Sequence, residues 1–231
     1  MNKLNDPNIW LEPENHRYIL RDDPEFEFLS STRFIHSFFE PFDREAIAAK
    51  LLKMPKYAGF TKEDLFHEWS QSAVIGTKIH EEMEEYIKNK TDPKHKKSIS
   101  GVEWLNTNIP TTCKLYSEVI VYSKELRIAG MIDLLVHNPD TDSYTIVDWK
   151  SNKKIHERAY KKKTGTKAAT TNIEDCNFNH YSLQLSLYKY IIEKEYGIKV
   201  KNLYLAHLKE DSVESYSCLY MKRTLLDMLS E

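Results

Sequence analysis

The stretch Ala129-Gly130-Met131-Ile132-Asp133-Leu134-Leu135-Val136, the turn formers Asn138-Pro139-Asp140-Thr141-Asp142, and then Tyr144-Thr145-Ile146-Val147-Asp148-Trp149-Lys150 read as two β-strands and their connection. The flanking runs are rich in Val, Ile, Leu and Tyr, and the linker has the residue types that make tight turns. In an extended chain alternate side chains share a face, so Asp148 and Lys150 project together while Val147 and Trp149 point the other way. An Asp and a Lys at the end of an apolar strand are costly to bury without partners. A plain surface ion pair would also account for them. The preceding strand shifts the balance, because Asp133 interrupts its apolar run, and such a conflict between pattern and burial marks functional sites. If the strands pair as a hairpin, Asp133 and Asp148 converge at one edge of the sheet. Two converging carboxylates repel unless a proton or cation sits between them. A divalent cation with oxygen ligands, Mg²⁺ or Mn²⁺, suits that arrangement beside a lysine.

Working outward, a third strand is expected at 116–122, with Glu118 at its start, either as an exposed edge carboxylate or as a further ligand. Upstream, 67–90 has the 3.6-residue period of an amphipathic helix, with Trp69, Gly76, Ile79, Met83 and Ile87 on one stripe and His80 within it. A histidine on an apolar stripe is either a satisfied core residue or an imidazole delivered to the strands. Residues 91–100 read as a polar loop. Ser30-Ser31-Thr32 are helix-capping types ahead of a Phe-rich helix that breaks near Pro41, and a second helix covers 43–53. Beyond Lys150, residues 150–167 hold eight basic residues against Glu157, which predicts a mobile, phosphate-attracting or merely solvated loop. A helix over 179–196 closes at Gly197, strands follow at 202–208 and 215–221, and a short helix ends the chain. The expectation is one domain spanning 1–231. Its α/β (α+β) core, at about 113–221, has a mixed sheet flanked by helices, and its N-terminal part, about 28–112, is helical.

Composition limits the alternatives. The 231 residues carry 29% charged and 41% hydrophobic side chains and a net charge of −2, a globular composition without an overall basic footprint. No apolar run reaches the ~20 residues of a membrane helix, and the N-terminus lacks the apolar core of a secretory signal. The expected setting is therefore the cytoplasm or another reducing compartment. Cys113, Cys176 and Cys218 are irregularly spaced and form neither a disulfide framework nor a zinc motif.

Gly-x-Ile-Asp at 130–133, Asp-x-Lys at 148–150, Gly-Thr-x-Ile-His at 76–80 and Gln-x-x-x-Tyr at 184–188 occur in one order over residues 30–210. This set resembles the PD-(D/E)XK nuclease superfamily and, within it, the RecB-like exonuclease branch. The literal Pro-Asp is replaced by Ile132-Asp133. The resemblance implies a restriction-endonuclease-like fold and a magnesium-dependent deoxyribonuclease, with Mn²⁺ also supporting activity. It implies that Asp133, Asp148, His80 and the carbonyl of Trp149 ligate the metal, and that Lys150 stabilises the transition state or orients the attacking water. Gln184 and Tyr188, one turn apart, would contact DNA, together with Ser151, Lys153, Lys154, Ser30 and Thr32. Packing and ordinary capping explain the last two, and Tyr188, equally well. No cluster-binding cysteine quartet and no Walker A motif is present, so neither an iron–sulfur cluster nor a helicase domain is expected. The expected substrate is single-stranded DNA or DNA ends, in replication, recombination or repair. A structure-specific endonuclease and a non-catalytic nucleic-acid-binding protein with a relic fold are the alternatives.

Overall fold

The computed structural model describes residues 3–231. An antiparallel hairpin, β1 (Ile9–Glu12) and β2 (Arg17–Leu20), precedes a short strand β3 (Leu29–Ser30). Helices α1 (Ser31–His36), α2 (Arg44–Leu51), α3 (Lys62–Asn89) and α4 (Lys96–Asn108) come next. The meander β4 (Lys114–Ser123), β5 (Ile128–Asn138) and β6 (Ser143–Lys150) leads through the basic segment to α5 (Asn177–Tyr196), β7 (Val200–Leu208), β8 (Val213–Ser217) and α6 (Lys222–Ser230). This is a mixed sheet flanked by helices. β4 to β6 are antiparallel neighbours, β7 runs parallel to β6, and β8 closes the far edge antiparallel.

The edge of β5 opposite β4 is shared by two strands. β3 pairs in parallel with Ile128 and Ala129, while β6 pairs only with Leu134 to Asn138. Gly130 to Asp133 therefore face a gap in the ladder. At the same level the side chains change phase. Ile128, Ile132 and Leu135 join the core beneath α5, whereas Leu134 and Val136 join the core under α3 and α4. β4 makes the same change around Glu118, whose φ is +51°, so the register on either side stays in step. The two-residue period of a strand is thus broken in both strands at once, opposite one another.

Each face is sealed by its helices. Val147, Trp149, Ala206 and Leu208 pack on Ile79, Met83 and Leu105, and Ile146, Leu203 and Leu205 pack on Leu183, Leu187 and Ile191. The expected helices and strands form near their anticipated places, with shifted ends. α1 stops at His36, and Phe38 and Phe39 are buried in the turns after it. β8 ends at Ser217 rather than 221.

Three segments differ more. The polar loop expected at 91–100 gives way at Lys96 to α4, whose buried face is made by Ser98, Ser100, Gly101 and Leu105. Small residues there let the helix approach α3 closely, a Cβ on Gly101 falling 2.8 Å from Met83 Sδ, and they leave no apolar period to read. The chain ahead of residue 28, for which no element was expected, is structured. It opens with the hairpin, which packs Ile9, Tyr18 and Leu20 on Ala129 of β5. The basic segment does not hang free. Gly165 N–H donates to the carbonyls of Thr170 and Ile173, Thr166 N–H to Phe38, and Lys153, Arg158 and Lys163 pair with Glu68, Glu174 and Glu40. No helix among the described residues is long and apolar enough to cross a membrane.

Candidate active site

The gap beside β5 is where charge collects. Asp133 is directed into the break between β5 and β6, and the backbone N–H of Trp149 donates to its Oδ2 at 2.8 Å. A carboxylate thus replaces the missing rung of the ladder, which satisfies a backbone donor and fixes the carboxylate in one orientation. His80, delivered by α3, places Nδ1 3.6 Å from the same oxygen. Glu118, on β4, lies opposite Asp133 of β5. One ligand atom from each of His80, Glu118 and Asp133 fits within 4.8 Å of the others. The left-handed backbone of Glu118 is uncommon for a strand residue, and strain of this kind concentrates at working sites.

Asp148 and Lys150 sit one strand further on. Asp148 is 3% exposed, and its carboxylate is paired with the Lys150 ammonium. The ammonium also lies 4.5 Å from the centroid of the Tyr181 ring on α5, a cation–π contact that adds a second wall. Asp148, expected among the metal ligands, lies beside the group of three with its carboxylate paired to Lys150. Trp149 enters through its N–H, while its side chain, 1% exposed, packs edge-on against Trp104 on the opposite face.

The acidities reflect this crowding. Burial, reinforced by the charge of Asp133, pushes the Glu118 carboxyl up to about 8. Burial likewise pushes Asp148 up to about 6, against the pull of Lys150. For Lys150, burial would lower the ammonium, but Asp148 and Asp133 outweigh it and the net direction is up. Lys150 is held as a fixed cation, while Glu118 keeps a proton at neutral pH unless another positive charge takes its place. Two carboxylates and an imidazole at this spacing, one of them destabilised as an anion, suit a divalent cation.

A second group lines the gap from the α5 side. Gln184 Nε2 donates to the Tyr188 hydroxyl at 2.7 Å and lies 3.5 Å from Thr32 Oγ1, and Ser31 Oγ donates to the same hydroxyl at 3.0 Å. Gly130 makes room for them, since a Cβ there would fall 2.5 Å from both Ser31 Oγ and Tyr188 Cε1. Tyr188 is 2% exposed, so as folded it supports Gln184 rather than touching a ligand itself. Ser30 is nearly buried and caps α1 by accepting from Arg33 N–H. Ser151 lies under Gly76 of α3, and its carbonyl accepts from Lys97 Nζ at 2.6 Å. Lys153 and Lys154 are exposed beyond it.

The sequence profile of the PD-(D/E)XK nuclease superfamily matches residues 33–221. The chain belongs to that superfamily. Its reaction class is phosphodiester hydrolysis in nucleic acid, with divalent metal. Among solved structures, SSO0001 is similar at 13% identity, with a TM-score of 0.42, over 88% of this chain and 73% of its own. A Eubacterium rectale protein described as a candidate exonuclease is 12% identical, with a TM-score of 0.38, over 96% of this chain and 82% of its own. No protein of curated function matches.

Two contributors went unnoticed in the sequence. Tyr181 precedes Gln184 by three residues and so shares its helix face, a signal that was available. Tyr18 comes from the hairpin, where burial, with Glu118 and Asp133 adding to it, drives its hydroxyl acidity down by raising its pKa. Nothing in its local sequence connects it to residues a hundred positions away.

Proposed function

We propose that this nuclease is a divalent-metal-dependent deoxyribonuclease, acting as an exonuclease on single-stranded DNA or DNA ends in replication, recombination or repair. The observation that carries the reading is the convergence of His80, Glu118 and Asp133 beside the pair of buried Asp148 and half-buried Lys150, at the point where β5 and β6 part. His80, Glu118 and Asp133 would hold the metal, with Asp148 next to them. A divalent cation bound there supplies Lewis acidity toward a phosphate oxygen and lowers the pKa of its water.

The chain's own residues do the rest. Trp149 N–H keeps the Asp133 carboxylate aimed at the cluster, so it needs no reorientation during reaction. Lys150, fixed between Asp148 and the Tyr181 ring, offers a permanent positive charge to the scissile phosphate as negative charge builds up. Gln184, propped by Tyr188 and Ser31, offers an amide to the strand alongside.

The test is cleavage of linear and closed-circular DNA, single- and double-stranded, and of matched RNA, with Mg²⁺ or Mn²⁺. Wild type is compared with Lys150→Ala and Asp148→Asn. Mononucleotide release from linear DNA alone, lost in both variants, is the expected result. Cutting of closed circles would convert the assignment to an endonuclease. Cleavage unaffected by either substitution would remove the site, and salt-sensitive binding without any cleavage would identify a relic.

A further inference from the structure

The part of the molecule that the cluster does not use is the helical arm formed by α2, the Pro55–Tyr57 turn and the first half of α3. Between Lys50 and Lys62 the chain has four lysines, Lys50, Lys53, Lys56 and Lys62, and no acid. Large apolar side chains stand in water among them: Phe42 is 69% exposed, Met54 52% and Phe60 45%. The rings make three contacts in two groups. Phe42 meets Trp69 at 5.8 Å, with Phe66 5.6 Å from Trp69, and Tyr57 meets Phe60 at 5.8 Å. Arg44 lies 3.9 Å over the Phe66 ring and donates to the Phe66 carbonyl, which locks that side chain in place.

The arm is aligned with the catalytic cluster. Trp69 and His80 are eleven residues apart on one continuous helix, which places them about 16 Å apart and within about 20° of the same face. The turn after Lys150 is tied to the arm by the Lys153–Glu68 pair, one residue from Trp69. A path along this stripe of α3 therefore runs from exposed rings and lysines to the catalytic cluster.

Lys62 is ion-paired with Glu45, whereas Lys53 and Lys56 stand exposed among the rings. Exposed rings interleaved with such lysines do not suit an apolar protein partner, which would have to bury those charges unpaired. They do suit unpaired nucleotides, whose bases present π-faces and whose phosphates take the lysines. A duplex hides those faces within its own stack. We propose that the α2–α3 arm is a stacking surface for an unpaired nucleic-acid strand, with Phe42, Phe60 and Trp69 holding bases and Lys53 and Lys56 holding phosphates upstream of the cluster. This deepens the nuclease reading and rests on it, for it names what sets single-strand preference.

The experiment is equilibrium binding of a labelled single-stranded oligonucleotide and of its duplex, in EDTA so that hydrolysis cannot intervene. Wild type is compared with Phe42→Ala/Phe60→Ala, Lys53→Glu/Lys56→Glu and Trp69→Phe. All but the last substitute exposed side chains, and melting curves verify folding. Wild type should favour the single strand about tenfold or more, and the aromatic variant should lose about tenfold on the single strand and little on the duplex. The charge variant should bind both less tightly and with a shallower salt dependence. Single strand should quench tryptophan emission in wild type and much less in Trp69→Phe. Equal affinity for the two forms, or full single-strand affinity in the aromatic variant, overturns the proposal. So does concentration-dependent dimerisation that Phe42→Ala/Phe60→Ala abolishes, which would make the arm a contact between copies. Absent cleavage in the metal assay would defeat the nuclease reading and leave this result readable, because the binding is measured without turnover.

Discussion

β5 and β6 are one pair of strands with two very different ends. From Leu134 to Asn138 the rungs are all in place, and the side chains alternate between two dry cores, Leu135 and Ile146 on one face and Leu134 and Val147 on the other. One residue earlier the ladder stops, and within that residue's reach lie Asp133, Glu118, His80 and the Asp148–Lys150 pair. The paired end is stabilised by burial of apolar surface. The open end exposes backbone donors and polar side chains that have to find partners. The same strand pair therefore supplies rigidity at one end and a charged recess at the other, and the recess is only as well positioned as the paired end behind it.

Substitutions at the two ends should part company accordingly. The largest effect belongs to the open end: Lys150→Ala should lower the cleavage rate by about 10²–10³ under saturating metal, measured on linear DNA with protein shown to be folded by circular dichroism. At the paired end, Leu135→Ala should cost about 2–5 kcal/mol of stability by leaving a cavity, read from urea unfolding. The rate per folded molecule should stay near wild type, and a rate loss as deep as that of Lys150→Ala would mean the two ends are not separable. Gly130→Ala lies between them. Its new methyl group would push on Ser31 and Tyr188, both at 2.5 Å or so from it, and overpacking of this kind costs about 1–3 kcal/mol. A thermal shift without change would show that the Gln184 support yields easily.

The smallest effect is a slope. Glu118 is raised from 4.5 to about 8 in the fold, so between those values the folded chain binds a proton that the unfolded chain has released. Stability of the metal-free protein should therefore fall as pH rises from about 4.5 to 8, the penalty being absent below that window and complete above it. Asp148, raised from 3.8 to about 6, adds to the lower part of it. Glu118→Gln should flatten the melting temperature between pH 6 and 8 in EDTA, and Mg²⁺ or Mn²⁺ should restore stability to wild type at pH 8 but not at pH 5. A slope unchanged in Glu118→Gln would place the titrating group elsewhere.

Much of this could be read residue by residue. Asp148 and Lys150 share a face because a strand alternates, Gln184 and Tyr188 share a face because a helix repeats near every fourth residue, and His80 falls on the inward stripe of α3 for the same reason. Gly197 stops α5 in the left-handed conformation that the sequence suggested. Legibility ended where a contact depends on another element. Whether Tyr188 packs or contacts a ligand could not be read from its helix face, because its burial depends on Ser31 of another element. The 91–100 segment looked like a loop because Ser98, Ser100 and Gly101 make a helix interface out of small residues.

The place of most elements, the phase of α3, α5 and β6, and the identity of the charged residues were legible in the sequence alone, since they follow from local periodicity. The helix α4, the N-terminal hairpin and the phase changes in β4 and β5 were not. Which charges meet was decided by the tertiary structure. Asp133 and Glu118 come together only because β4 and β5 change phase at the same level, and Asp148, itself buried, turns to Lys150, which is half-buried against Tyr181 of α5. Local pattern specifies where a side chain points along its own element. It takes the packing of several elements, and the desolvation that packing imposes, to settle which partner a buried charge will have.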